Sequence, residues 1–210
     1  MELSLLDKNL IFCSKRNAGK SHLIKYLVQS YHDKFKQIFV ICPTERINHH
    51  YMELTTEEHI YDEWEEDWAE QLIKTMTKQN ANKPKDEMER CLVILDDISL
   101  DADFHHSKAL KKLIGRSRHF GLTLISTAQS LTLLSPLQRQ NADYVFVGQC
   151  SSGSLAILDA EFRTKLSRNE FIDLYNKTTL NYQFLVINQN SSKTSDLNEI
   201  YGSIRVPGDV

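Results

Sequence analysis

The stretch CSKRNAGKSHLIKYL, residues 13–27, decides how the chain is interpreted. It ends like a phosphate-binding loop, because Gly19-Lys20-Ser21 is followed by apolar residues at helical spacing. The pattern G-x-x-x-x-G-K-[ST] has glycine at the position that Ser14 occupies here. A small residue can replace that glycine if its φ stays negative. We therefore expect this loop to bind phosphate.

The residues on either side of the loop supply the context that the motif requires. An apolar strand, residues 9–13, precedes the loop, and a helix is predicted from Lys20. Backbone N–H groups and a helix N-terminus bind anions, the Lys20 ammonium reaches the β- and γ-phosphates, and the Ser21 hydroxyl ligates Mg²⁺. The expected nucleotide-binding residues are Ser14, Lys15, Arg16, Asn17, Ala18, Gly19, Lys20, Ser21 and His22.

Short apolar runs alternate with helical patterns along the chain. Near-continuous apolar runs are typical of strands buried on both faces. The sequence therefore predicts an α/β fold, a doubly wound, mostly parallel sheet with helices on both faces. The predicted strands are residues 9–13, 37–42, 91–96, 122–127, 144–148 and 182–188, and the predicted helices are 20–35, 61–79, 104–119 and 154–166. Ser167 and Glu170 predict a capping box that opens a further helix to about Asn176.

Composition limits the domain organisation and the partners. The chain has 210 residues, 41% of them hydrophobic, which suits one P-loop domain over residues 1–188. Residues 189–210 carry Ser, Asn, Gly and Pro, and we expect a weakly ordered tail there. The net charge of −3 means that any nucleic-acid contact uses a local basic patch. We expect no transmembrane segment and no signal peptide, and therefore a protein that acts inside a cell.

Polar residues end two further predicted strands. The run CLVILDD places Asp96 and Asp97 after an apolar strand, and Gln129 follows the run LTLISTA. Open α/β sheets bind ligands at the carboxyl ends of their strands. We expect Asp96 to hold Mg²⁺ together with Ser21, and Asp97 to act as the base for an attacking water. Gln129 can bind the γ-phosphate or that water, although a polar residue can also merely end a strand.

Several segments together resemble a known family. The segments SKRNAGKSHLIKYL, LVILDD, SRHFGLTLISTAQ and EFIDLYNKTTLNYQFLVIN resemble the FtsK/HerA superfamily of DNA-pumping ATPases. The resemblance is closer to the viral genome-packaging branch, found in poxvirus-like large DNA viruses and internal-membrane viruses, and covers about residues 10–188. It implies an ATPase with ATP and Mg²⁺ as cofactors. The chain departs from the family at Ser14 and at Asp97, where many members have glutamate.

The resemblance also implies partners and further catalytic residues. It implies a homo-oligomeric ring that moves double-stranded DNA into a capsid, with capsid or membrane-associated virion proteins as further partners, in the virion or the host-cell cytoplasm. An arginine from a neighbouring subunit can stabilise charge on the transferred phosphoryl group. The candidates are Arg116, Arg118 and Arg139. Arg116 and Arg118 end a basic helix that can equally be a solvated face or a DNA-facing strip.

Two other functions are compatible with the same motifs. A small P-loop kinase acting on a nucleotide or another small molecule would use the same phosphate loop and acidic pair. A non-catalytic adaptor gated by ATP would bind the nucleotide without turnover. ATP turnover measured with and without duplex DNA distinguishes the three.

Overall fold

The computed structural model describes residues 3–98, 102–191 and 196–208. Within these ranges the strands are β1 (Asn9–Cys13), β2 (Gln37–Ile41), β3 (Ile60–Tyr61), β4 (Cys91–Leu95), β5 (Leu122–Ala128), β6 (Tyr144–Val147), β7 (Gln183–Asn188) and β8 (Tyr201–Arg205). They form one sheet in the order β3-β2-β4-β5-β1-β6-β7-β8. In this order, the neighbouring strands from β3 through β6 pair in parallel. Strand β7 pairs antiparallel with both β6 and β8. The expected mostly parallel sheet is confirmed.

Helices cover both faces of this sheet, as the sequence predicts. Alternate side chains of a strand point to opposite faces. Leu10 and Phe12 of β1 accordingly lie in one apolar cluster with the first helix, and Ile11 and Cys13 lie in another with a late helix. The helices are α1 (Lys20–Gln29), α2 (Glu45–Asn48), α3 (Glu66–Gln79), α4 (Ala102–His106), α5 (Lys108–Phe120), α6 (Pro136–Gln140), α7 (Ser152–Ile157), α8 (Arg168–Thr178) and α9 (Leu197–Ile200). Among them none is both long and apolar enough to cross a membrane.

Capping side chains set several helix ends. The predicted capping box is present at α8, where the N–H of Glu170 donates to Ser167 Oγ and the N–H of Ser167 donates to the Glu170 carboxylate. The predicted helix 104–119 is instead two helices. Ser107 Oγ accepts the N–H of Leu110 at 2.9 Å and starts α5 there. The predicted helix 20–35 ends at Gln29.

The C-terminal segment is part of the sheet. We expected residues 189–210 to be weakly ordered, and for the described residues this is wrong. Strand β8 pairs with β7 along its length, and the N–H of Val206 donates to the carbonyl of Tyr182 at 2.9 Å. The strand escaped prediction because it lies at the sheet edge and exposes alternate residues. Residues 192–195 and 209–210 of the expected tail lie outside the described residues.

Candidate nucleotide-binding site

The carboxyl ends of three parallel strands bring the predicted site residues together. Cys13 of β1 pairs with Ala128 of β5, and Leu95 of β4 pairs with Ser126. The phosphate loop, the acidic pair and Gln129 each follow one of these strands, so they meet at one edge. A cleft of about 610 Å³ lies there, within the range of about 300–1,000 Å³ typical of small-molecule sites. Its lining includes Arg16, Asn17, Ala18, Gly19, Lys20, Ser21, His22, Asp96 and Asp97.

The phosphate loop leads into α1 through a left-handed turn. Gly19 precedes the helix with φ 86°, and Asn17 also has a positive φ, 57°. Gly19 has no side chain to cap α1, so the N–H groups of its first turn remain available to an anion. A Cβ at Gly19 would lie 2.8 Å from Val206 Cγ2. Both the backbone conformation and the contact with the segment after β8 therefore require glycine at this position.

Ser14 fits where the motif has glycine. Its side chain is fully buried, and it is not among the residues with a positive φ, as the sequence argument requires. Space comes from Gly148 after β6, since a Cβ at Gly148 would lie 2.9 Å from Ser14 Cβ. The substitution is therefore compatible with the loop conformation. The matching signal in the sequence is the glycine that directly follows β6, which only the pairing of β1 with β6 identifies.

Lys20 is held inside the loop that it follows. Its ammonium donates to the carbonyl of Ser14 at 2.9 Å and to that of Lys15 at 3.4 Å, and only 9% of the residue is exposed. Burial lowers the pKa of Lys20, and the negative charges of Asp97 and Asp96 oppose that shift. The ammonium is therefore coupled electrostatically to both acids across the cleft.

Asp96 is a buried carboxylate with a hydrogen-bond donor at each oxygen. The Tyr51 hydroxyl donates to Oδ2 at 3.0 Å, and the Thr127 hydroxyl donates to Oδ1. Burial raises the pKa of Asp96, the Thr127 hydrogen bond opposes this, and the neighbouring charge of Asp97 adds to it. Because its surroundings disfavour the charged form, a cation placed beside Asp96 would stabilise it.

The donor atoms beside Asp96 fit Mg²⁺. The hydroxyl of Ser21 and the carboxylate of Asp96 are oxygen ligands, the kind that Mg²⁺ prefers. In the part of the chain that the structure describes, no group of three or more His, Cys, Asp or Glu side chains is placed to hold a metal. Mg²⁺ sites in nucleotide-binding proteins commonly use one or two protein oxygens together with phosphate oxygens and water.

A turn after β4 directs Asp97 into the same cleft. Asp97 adopts a left-handed conformation, φ 54°, and its N–H donates to Thr127 Oγ1 at 3.2 Å. The amide of Gln129 donates to Asp97 Oδ2 at 3.4 Å. The structure thus joins Asp97 to Gln129, two residues that the sequence analysis placed at this edge separately. Both also line an adjoining pocket of about 310 Å³, with Arg16 and Trp64.

Sequence reasoning missed two residues that contact the acidic pair. Thr127 donates to Asp96 and accepts from the N–H of Asp97. It lies two residues before Gln129, so the period of two along a strand could have identified it. Tyr51 had no such signal, because it lies in the irregular segment between α2 and β3. Thr44, Asn48, His50 and Tyr182 also line the cleft and were not predicted.

The three candidate arginines have different surroundings. The guanidinium of Arg139 contacts Glu161 at 2.8 and 2.9 Å, and it also donates to the carbonyls of Leu131 and Leu134. Arg118 pairs with Asp143 at 3.0 Å, at the edge of the sheet where β6 begins. Arg116 lies two residues before Arg118 on α5, so both are near the amino-terminal ends of the parallel strands, opposite the cleft. Neither can serve the cleft of its own chain.

Replacing Arg139 with alanine should lower the free energy of unfolding by about 2–4 kcal/mol, because the paired carboxylate and two carbonyls lose their donor. Urea unfolding followed by circular dichroism measures this. Arg168→Ala is the matched control, since its side chain is 75% exposed beside Asp159 and its loss should cost less than about 1 kcal/mol. Equal stability of Arg139→Ala and the unsubstituted protein would instead leave Arg139 available to a neighbouring subunit.

Known proteins with the same fold include two from viruses. The genome packaging NTPase B204 from Sulfolobus turreted icosahedral virus 2, in complex with AMPPCP, superposes with a TM-score of 0.69 at 19% identity, over 96% of this chain and 98% of that one. B204, the DNA-packaging ATPase from Sulfolobus turreted icosahedral virus, gives a TM-score of 0.70 at 17% identity, over 97% and 100%. At these identities the likeness shows a shared fold.

Sequence comparison identifies the family. Uncharacterized protein 075L of Invertebrate iridescent virus 6 is 30% identical over 138 residues, which cover 66% of this chain and 53% of the relative. The chain spans about half the length of the curated relatives it matches. The family model described as Poxvirus A32 protein matches residues 2–195. Since that match includes the phosphate loop, the acidic pair and Gln129, the chain belongs to the poxvirus A32 protein family.

Proposed function

We propose that this protein is an ATPase that uses the energy of hydrolysis to move double-stranded DNA into a viral capsid. The observation that supports this most directly is the single cleft that joins Lys20, Ser21 and the acidic pair, with Gln129 hydrogen-bonded to Asp97. A chain of this fold with such a cleft has the parts needed to hold a nucleoside triphosphate and activate a water molecule.

Each part of the cleft has a separate role in this proposal. The N–H groups of the phosphate loop and the ammonium of Lys20 hold the β- and γ-phosphates. Ser21 and Asp96 would hold Mg²⁺, which would neutralise charge on the phosphates when bound. Asp97 accepts the proton of the attacking water, and Gln129 orients Asp97 through the 3.4 Å hydrogen bond.

Assembly into a ring is part of the proposal, because an arginine from a neighbouring subunit can stabilise the charge that develops on the transferred phosphoryl group. We propose that a neighbouring subunit supplies Arg116 or Arg118. Both lie near the amino-terminal ends of the parallel strands, whereas the cleft lies at the carboxyl ends. Either arginine can therefore act only on another copy of the chain. The contacts of Arg139 within its own chain make it the least suitable of the three candidates.

DNA contacts are proposed to involve phosphates and to be insensitive to sequence, because a packaging motor must accept a whole genome. Since the net charge is −3, they require a local basic surface. Helix α5 offers Lys108 and Lys111 as exposed side chains. We propose this exposed side of α5 as the DNA contact, and we place the protein in the virion or the host-cell cytoplasm.

Long duplex DNA should increase ATP turnover several-fold, with low turnover in its absence. A coupled assay of phosphate release at about 0.1 M salt measures this, since phosphate contacts weaken as salt rises. ATP turnover that is the same with and without DNA, but requires a small phosphate acceptor, would support a kinase instead. Tight ATP binding without any turnover, in the presence of DNA and assembled protein, would support the adaptor.

A further inference from the structure

Tyr51 belongs to none of the sequence motifs described above, and it is fully buried beside the acidic pair. Tyr51 belongs to the segment between α2 and β3 and has none of its surface exposed. Its hydroxyl donates to Asp96 Oδ2 at 3.0 Å. The phenol therefore directly contacts one of the two groups that would hold Mg²⁺.

A second buried carboxylate fixes the position of this tyrosine. Glu45, at the start of α2, is also fully buried, and its side chain accepts the N–H of Tyr51 at 2.5 Å and that of His50 at 3.1 Å. The chain turns back after α2 at His49, which has φ 53°. A carboxylate is costly to bury unless it is hydrogen-bonded, so these two bonds restrict the segment that carries Tyr51 to one conformation.

Two hydroxyl groups hold the Asp96 carboxylate, one at each oxygen. Tyr51 donates its proton to Oδ2, and Thr127 donates its proton to Oδ1. Each carboxylate oxygen has a further lone pair, so both oxygens can still accept a cation from the cleft. The two hydrogen bonds therefore fix the orientation of the carboxylate without using all of its acceptor capacity.

We infer that Tyr51 is a positioning residue that orients the Asp96 carboxylate as a ligand for the Mg²⁺ of a bound nucleotide. This inference rests on the proposed function, since it assumes that the cleft takes a nucleotide with Mg²⁺. Partners that orient metal ligands from behind contribute about 10- to 100-fold in metal affinity. Tyr51 touches neither the phosphates nor the attacking water in this scheme, and it acts only through Asp96.

The test is the Mg²⁺ dependence of nucleotide binding by Tyr51→Phe. Binding of the non-hydrolysable analogue AMPPCP is measured by calorimetry with EDTA and at rising Mg²⁺ concentrations. We expect the Mg²⁺ concentration for half-maximal binding to rise about 10-fold, because Asp96 loses the hydrogen-bond donor that orients it. Affinity in EDTA should change less than about 2-fold, since no phosphate contact is removed. A purely structural role would lower both affinities together and would overturn the inference.

Tyr31→Phe is the matched control, because its hydroxyl donates to the carbonyl of Leu3 at 2.8 Å away from the cleft. It should titrate with Mg²⁺ like the unsubstituted protein. Glu45→Gln provides a second variant and should shift the Mg²⁺ dependence in the same direction by a smaller factor. If both Tyr51→Phe and Glu45→Gln lose their cooperative thermal transition, Tyr51 is a structural core residue and the inference is wrong.

The outcome also separates this inference from the proposed function. If the unsubstituted protein binds no AMPPCP, or binds it without any effect of Mg²⁺, the proposed function fails. If it binds in a Mg²⁺-dependent manner and Tyr51→Phe gives the same titration, only the role of Tyr51 is refuted.

Discussion

Replacing Lys20 with alanine should reduce ATP hydrolysis by at least about 10³-fold and weaken ATP binding, while the fold remains intact. The ammonium lies inside the phosphate loop, 2.9 Å from the carbonyl of Ser14, where a β- or γ-phosphate oxygen can replace that carbonyl as its partner. Charge that develops on the γ-phosphate then loses its nearest cation. Phosphate release and the affinity for ATP, both measured in the presence of duplex DNA, check this result.

Lys25→Ala is the control for Lys20→Ala. Lys25 lies five residues later on the same helix, and its ammonium pairs with the exposed Glu53 at 2.7 Å. Its removal tests the loss of one positive charge on α1 without any change in the cleft, and turnover should stay within about 2-fold. Normal turnover by a folded Lys20→Ala protein would show that the cleft is not where ATP is hydrolysed.

The buried strands could be predicted because burial on both faces is encoded locally. In β1, β4 and β5 every residue is buried, so each appears as a continuous apolar run whatever its partners are. Strand β3 has only two residues, and β8 exposes alternate ones at the sheet edge. Their strand character comes from pairing with β2 and β7, which is tertiary information that no local pattern carries.

The residues of the cleft also differ in whether the sequence could predict them. Lys20, Ser21 and the acidic pair follow predicted strands, and the topology of a parallel sheet brings strand ends together. Tyr51 reaches Asp96 across 45 positions of sequence, from a segment held by Glu45. Its position depends on how an irregular segment folds back, so neither composition nor periodicity could identify it. The expectation of an arginine acting between subunits remains a prediction, now restricted chiefly to Arg116 and Arg118.

Asp97→Asn should slow hydrolysis by about 10²-fold or more, the usual effect of losing a general base, with little change in the affinity for ATP and Mg²⁺. The substitution keeps the backbone, because asparagine tolerates the left-handed conformation that Asp97 adopts at φ 54°. It also keeps an oxygen for the amide of Gln129, which donates to Asp97 Oδ2 at 3.4 Å. What it removes is the negative charge that, in the proposed mechanism, accepts a proton from water.

Asp96→Asn is the matched comparison, since it removes one carboxylate charge from the adjacent residue. Asp96 is buried with Tyr51 and Thr127 as donors to its two oxygens, so we expect its loss to raise the Mg²⁺ requirement before it changes the rate at saturating Mg²⁺. Nucleotide affinity and single-turnover rate, measured for both variants at several Mg²⁺ concentrations, distinguish the two roles. If Asp97→Asn hydrolyses ATP at the rate of the unsubstituted protein, Asp97 is not the base. Gln129 cannot replace it as a proton acceptor at neutral pH, so the base would then be another residue of the cleft or a residue of a neighbouring subunit.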